Sequence, residues 1–546
     1  EHYGFTPGEA KIREHLELER PKLKKTGKEK TIFIVVLGIL FLITMFSYIN
    51  NRSILSKLQK DTPSISPLLS NDSTKSIVVL PFKNWSGDPE LEYISDGRTD
   101  AVISRISEIK EMDRVVPFTS SVQFKNSEKS MPELAKTLNV FYILEGNFQK
   151  QGSQFKINLR LNDGPLNKQI WSGSYSGEWK TNEIFEIQSK VAENVANIMN
   201  VKLTERDYDA FTGIPTKSEE AYNYYLLAEY QNNKFNQTSF KNAIPLYEKA
   251  FAMDSTFVEP LLGLADIYVT GGAVWGLYGE QEAWRNAKFY LQKASAIDGE
   301  NVRLSDQLFV GKFYFEWDFE AVEQYISDNY AHKGADNWNE YLFVDYYIKT
   351  GKCAYALSEL NKLILEDPSF GWLFAIRASV IFFLYSAAEA KKELKHIDPL
   401  FLDDMFYLRE AAKWYYYFGA YEESRLMLEK LMNSFPDRPP IVAWLNAVHF
   451  EMANNRSGVQ ESLSTLQKHY VKGSSGSPAW FMALYYCHIQ EDREVFKWLQ
   501  KSYDNHEVEM TWLRAEPLLA PYRQDPRYLD LYKKMKFPVP PLSSLD

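Results

Sequence analysis

The sequence predicts a small α/β domain followed by an all-α solenoid of helical repeats, with one transmembrane helix ahead of both. Three observations carry this. Thr31–Ile49, TIFIVVLGILFLITMFSYI, contains no Asp, Glu, Lys or Arg. Short apolar runs, period-two alternation and helical spacing follow one another between residues 76 and 205, the mark of mixed α/β structure. From Glu219 onward a small-then-bulky pattern recurs about every 34 residues, the signature of stacked helix pairs. At 546 residues and 45% hydrophobic, the chain is long enough for several folded units with sizeable cores.

Residues 1–30 read as a cytoplasmic piece. Tyr3-Gly4-Phe5-Thr6-Pro7-Gly8 resembles the closing segment of AraC-type helix-turn-helix domains, and the chain opens at Glu1 without an initiator Met. The resemblance implies a fragment whose DNA-reading helices stand upstream, so that DNA is met only through a domain absent from this chain. A basic linker follows, with Arg20, Lys22, Lys24, Lys25, Lys28 and Lys30.

The apolar stretch, taken as residues 31–50, would span roughly 28 Å as a helix, close to the roughly 30 Å of a bilayer core. Six basic residues precede it, against Arg52, Lys57 and Lys60 after it. This imbalance predicts a cytoplasmic N-terminus, with the bulk of the chain in the bacterial periplasm. The expected location is the bacterial inner membrane, single-pass. Residues 51–75, rich in Ser, Pro and Asp, read as a linker.

Ser76–Pro81, SIVVLP, is the continuous apolar run of a strand buried on both faces. Val102, Ile103, Ile106 and Ile109 share one helix face, and Asp96 and Asp100 suit that helix's N-terminus. A strand at Arg114–Pro117 and a helix at Pro132–Leu138 follow. Phe155, Ile157, Leu159 and Leu161 alternate against Lys156, Asn158 and Arg160, which gives a hairpin turning at Gly152 with one buried face. Lys168–Gly177 adds a strand, and Asn182–Val201 a closing helix with Ile184, Ile187, Val191, Val195 and Ile198 on one side. The stretch SIVVLPFKNWSGDPELEYISDGRTDAVISRISEI, with Tyr142–Gly146, Trp171, Tyr175 and Ile184–Gln188, resembles TolB-like (FlgO-type) domains over residues 76–205. Arg98 departs from that pattern, which has an apolar residue there. The resemblance implies periplasmic interaction or sensing and brings no catalytic residues.

Residues 219–510 resemble tetratricopeptide repeats. Anchoring each second helix on its small residue gives Ala243, Ala287, Ala321, Ala356, Ala387, Ser424, Val459 and Val495, spaced 44, 34, 35, 31, 37, 35 and 36 residues. Pro368, Pro399 and Pro436 close three units. Leu261, Leu264, Ala265 and Tyr268, then Leu408, Ala411, Ala412 and Tyr415, mark first helices. The long first interval holds a Gly-rich insertion, Thr270–Gly279, which belongs in a loop. Residues 511–546 resemble the cap that ends repeat arrays attached to TolB-like domains.

Sites for chemistry are scarce. The eight histidines form no H-x-H or H-E-x-x-H, and Cys353 and Cys487 read as small buried helix residues rather than a disulfide framework. Gly173-Ser174-Tyr175-Ser176-Gly177 has Tyr where a nucleophile elbow has Ser, and reads as a strand. With 62 basic against 72 acidic residues and a net charge of −10, the folded part is no electrostatic nucleic-acid binder. The expectation is therefore no enzyme, no metal and no cofactor.

The pattern points instead to a membrane-anchored regulator. Its periplasmic modules would bind an envelope protein or peptide and signal to an AraC-type domain. The alternatives are the periplasmic module of an adenylate-cyclase-like protein, because the same α/β-plus-repeat module accompanies cyclase domains, and an envelope scaffold. The ligand would lie on the concave face of the repeats. The repeat frame assigns Phe343, Val344 and Tyr347 to packing, and leaves Trp338, Tyr341 and Asp345 in one first helix and Arg409, Lys413 and Tyr416 in another to line the groove. The oligomeric state stays open.

Overall fold

The computed structural model describes residues 75–540 apart from 206, 209–212, 274, 300, 331–337, 436, 437 and 474. The AraC-like remnant, the proposed span and nearly all of the linker lie outside the described residues. Among the described residues no helix is long and apolar enough to cross a membrane.

β1 (Ser76–Val79) is buried on both faces, because Ile77 and Val79 enter one apolar cluster while Val78 enters another. It runs parallel to β3 (Arg114–Val115) and to β4 (Tyr142–Gln151). β4, β5 (Gln154–Asp163) and β6 (Lys168–Glu178) continue as an antiparallel meander, so the sheet order is β3-β1-β4-β5-β6, with the short β2 (Lys83–Asn84) beside β4. Gly152 makes the β4–β5 turn at φ 59°, a left-handed value that glycine adopts without strain. α1 (Glu92–Ser107) and α3 (Thr181–Ile198) bury Ile94, Val102, Ile106, Ile184, Val191 and Val195 against one sheet face. α2 (Met131–Leu138), opened by a Ser130–Glu133 capping box, covers Val78, Val116 and Ile143 on the other.

α1 begins at Glu92, earlier than the apolar spacing suggested, so Asp96 and Asp100 are not N-terminal residues. Asp96 instead accepts from Lys125 at 2.5 Å, and Asp100 faces the repeats.

The remainder consists of eight tetratricopeptide-like helix hairpins among the described residues: α4 (Glu219–Asn232) with α5 (Gln237–Met253), α6 (Glu259–Ala273) with α7 (Glu280–Ile297), α8 (Val302–Val310) with α9 (Phe319–Tyr330), α10 (Trp338–Lys349) with α11 (Cys353–Glu366), α12 (Gly371–Leu384) with α13 (Ala387–Ile397), α14 (Met405–Tyr417) with α15 (Tyr421–Ser434), α16 (Pro440–Met452) with α17 (Arg456–Lys472), and α18 (Pro478–His488) with α19 (Asp492–Asp504). Ala243, Ala287, Ala356, Ser424 and Val495 are fully buried where the two helices of a pair approach. Two anchors shift. Ala387 opens α13, and the fully buried small residue there is Ala390; in α9, Val322 is buried where Ala321 is only half so. The corrected frame runs 356, 390 and 424, evenly spaced by one repeat. Local similarity misplaced it because Ala387 and Ala390 lie one turn apart on the same face.

The α/β domain and the repeats share one core. Tyr222 and Leu226 of α4, and Phe257, belong to the cluster built on Ile77, Phe148 and Val195. Farther along, Ser120 Oγ donates to Asp367 Oδ2 at 2.5 Å, and Asn139 Nδ2 donates to the Leu365 carbonyl at 3.2 Å. Thr270–Ala273 of the glycine-rich stretch close α6 rather than forming a loop, and the rest of the stretch has a structural use. Its Tyr278 carbonyl accepts from Ser475 N at 2.7 Å, and Glu280 accepts from Ser477 N at 3.0 Å, so the second hairpin touches the segment that leads into α18.

Candidate binding surface

After α19 the chain makes 3₁₀ turns at Val508–Trp512 and Pro517–Tyr522 before α20 (Pro526–Met535). Met510, Leu513 and Leu519 are fully buried, so this segment packs into the body of the repeats. Trp512 carries much of the packing. Lys413 Nζ sits 4.5 Å and Lys349 Nζ 5.1 Å from its ring centroid, and the Trp414 ring lies 5.9 Å away. Two ammonium groups over one indole are held by the ring's quadrupole as well as by their carboxylates. Lys349 pairs with Asp345 at 2.7 Å, Tyr314 donates to the same Asp345 carboxylate, and Lys413 lies 3.8 Å from Glu410.

This arrangement corrects the groove expectation. Asp345 and Lys413 are buried beneath the chain's own Trp512 segment, and Tyr416 is buried in a seam, its hydroxyl 3.0 Å from His488 Nδ1 and its ring edge-on to Trp444. Tyr341 packs edge-on against Phe370 and Trp372, between helix pairs. Arg409 keeps partial exposure beside Glu410. The side chain of Trp338 lies outside the described residues. Asp345 and Lys413 therefore do meet on one inner surface, but the occupant there is the C-terminal segment. Nothing in the spacing of a first helix reveals that Trp512, 99 positions after Lys413 and 167 after Asp345, fills the space in front of it.

The inner surface of the first hairpins is different. Arg303, in the first turn of α8, remains exposed while protein surrounds it. Burial works against its charge, but Tyr225, Glu229, Asp266 and Tyr247 more than offset this and hold the guanidinium protonated. Tyr247 donates to Glu229 at 2.6 Å, and Asn232 Nδ2 donates to Asp266 at 3.3 Å. Asn232 is buried, and its Oδ1 has no partner. Enclosure raises the Glu229 and Asp266 carboxyls despite Arg303. Asp100 of the α/β domain is pushed to about 7 by burial and by Glu229. The result is a cluster of polar and charged groups shared by the α/β domain and the repeats, in which Arg303 meets solvent, Asp100, Tyr225, Glu229 and Asp266 are half-buried, and Asp100 is able to hold or release a proton near neutrality. Sequence reasoning missed it because Asp100, Glu229, Asp266 and Arg303 come from four elements and share no motif.

Arg98, where the TolB-like resemblance implied an apolar residue, lies between the α/β domain and the first repeat helix. Its guanidinium carbon is 4.8 Å from the Trp179 ring centroid and 4.9 Å from that of Tyr222, with Nη1 donating to the Tyr222 hydroxyl at 3.3 Å. An apolar residue would suffice in an isolated domain. Here the position faces a repeat helix.

Among the described residues no group of three His, Cys, Asp or Glu side chains is placed to hold a metal ion. Burial raises the thiol of Cys353 to about 11 and that of Cys487 further, so neither is a thiolate at neutral pH. Gly173–Gly177 forms part of β6.

No family model matches the chain. Over 195 residues, 36% of its length, it is 28% identical to the Putative adenylate cyclase 3 of Rhizobium meliloti (strain 1021), and it spans about a third (33%) of that relative. Similar solved structures include Lipoprotein GNA1162 from Neisseria meningitidis (20% identity, TM-score 0.18, covering 22% of this chain and 98% of that one). They also include Pseudomonas aeruginosa pilF (14%, TM-score 0.23, 50% and 98%) and a monomeric IFIT1 mutant with m7Gppp-AAAA (14%, TM-score 0.29, 65% and 74%).

Proposed function

We propose that this chain is the sensing part of a membrane-anchored bacterial regulator. Its TolB-like and tetratricopeptide-like modules bind an envelope protein or peptide in the concavity around Arg303. The observation that carries this reading is the shared wall: Asp100 from the α/β domain faces Glu229 and Arg303 from the repeats, so a ligand there touches both modules at once. Helical-repeat concavities are suited to extended partners, and mixed charge beside the half-buried Tyr225 supplies orientation and anchoring. Thr31–Ile49 holds the protein in the inner membrane with the modules in the periplasm, and the AraC-like Tyr3–Gly8 points to a DNA-reading domain as the cytoplasmic output. The chain binds and does not catalyse.

A photo-crosslinking residue placed at Arg303 in cells is expected to yield discrete adducts with a periplasmic protein, while one at the exposed Leu426 of α15 yields none. Adducts at both positions, or at neither, would remove the concavity as the binding surface. The similarity to a putative adenylate cyclase favours a second reading, in which the same module accompanies a cyclase domain and the output is a cyclic nucleotide. Cyclic AMP that varies with expression of the intact gene would favour that reading, and altered transcription at constant cyclic AMP the first.

A further inference from the structure

β6 ends the sheet, and its outer edge is open. Trp179 N donates to Ser153 O at 2.6 Å, which fixes the alternation from Trp171 to Trp179; a bulge at Ile170 breaks it before Gln169. Residues 171, 173, 175 and 177 turn their backbone groups toward β5, and residues 172, 174, 176 and 178 turn theirs outward. The outward groups of Glu178 are met by the start of α3: its N–H donates to Glu183 Oε2 at 2.7 Å and its carbonyl accepts from Lys180 N at 2.7 Å. Those of Ser172, Ser174 and Ser176 have no partner among the described residues, and these three side chains are exposed. From Gln169 to Gly177 the strand carries no charge and no proline, the features that usually keep an edge strand from pairing.

We propose that two copies of this chain pair antiparallel through β6, with the two-fold axis at Gly173. In this register the outward groups of Ser172 meet those of Ser174 of the second copy, and the reverse, while Trp171 lies across from Tyr175 of the second copy. The strand therefore supplies both members of this aromatic pair itself, once on each side of the axis. A shift by one residue would set outward groups against inward ones. Moving the axis to Ser174 would set Trp171 against Gly177 and lose the aromatic pair. Cross-strand aromatic pairs are among the units that stabilise such a ladder. An isologous contact repeats each pair twice. The pairing uses none of the residues gathered around Arg303 and does not depend on what binds there.

The test uses the full chain in detergent micelles, with the protein mass read by light scattering. Wild type is expected at twice the chain mass of 63.4 kDa. Ser174→Pro removes an outward donor and is expected to give the single-chain mass with the thermal transition retained. If Ser174→Pro loses that transition, Ser172→Lys with Ser174→Lys, both at exposed positions, replaces it with the same expected loss of dimer. Register is read by mixing Ser172→Cys chains with Ser174→Cys chains under mild oxidation. The mixture is expected to form the cross-linked dimer in excess of either variant alone and of wild type, which carries Cys353 and Cys487. A single-chain mass for wild type, a dimer that survives the folded edge variants, or equal cross-linking in all samples would overturn the proposal.

Discussion

Single residues in this protein are tuned mainly by enclosure. Glu516 is buried, accepts from Leu518 N at 3.0 Å, and is pushed to about 7 by burial, from 4.5. A carboxyl raised in the folded state binds its proton more tightly there than in the unfolded chain. Its contribution to stability is therefore complete below about pH 4.5 and is lost as pH rises to about 7. Asp100 acts in the same direction. His449, lowered to about 4 by burial and Arg425, acts in the opposite one: its contribution is present above about pH 6.5 and lost as pH falls toward 4. Glu516→Gln should flatten the decline in melting temperature between pH 5 and pH 7.5, removing on the order of 3 kcal/mol at most. An unchanged slope would mean that the carboxyl is not the titrating group.

At the scale of elements, the hairpins depend on small residues where helices touch. Gly311, in the π turn that extends α8, lies against the Trp284 ring closely enough that a Cβ would enter the indole. That indole stacks on Phe315 at 5.6 Å and donates to Glu316 at 2.8 Å, so moving it aside gives up both contacts. Gly311→Ala is expected to destabilise by about 1–3 kcal/mol, as overpacking does, read as a lower denaturant midpoint at constant slope. Gly152→Ala, where a Cβ meets nothing, carries only the cost of its positive φ and should cost less.

Across the described molecule, the α/β domain and the repeats share apolar packing and the buried Ser120–Asp367 bond. A domain sharing its core with its neighbour unfolds together with it, so one thermal transition is expected to report both sheet and helix. Asp367→Ala leaves Ser120 and the desolvated Arg114 without their acceptor and nearby charge, and should lower that transition by about 1–3 kcal/mol. Two transitions in the wild type would show that the modules are independent. The membrane topology is tested separately. Alkaline phosphatase fused after residue 75 should be active and after residue 25 inactive, and the reverse result would sink the periplasmic assignment.

Composition, periodicity and spacing were enough to identify an α/β domain followed by helical repeats, because strand alternation, the roughly 34-residue recurrence and the small residues between paired helices are local constraints. They even placed six of the eight anchors on positions that the structure buries. They failed wherever a residue's environment comes from distant chain. Asp345 and Lys413 look like groove residues until Trp512 is packed over them, and Arg98 looks misplaced until Tyr222 of the first repeat is set against it. The wall shared by Asp100, Glu229, Asp266 and Arg303 has no sequence signature at all. Burial and charge at these positions depend on how the repeats wind back on one another, and only the tertiary structure decides that.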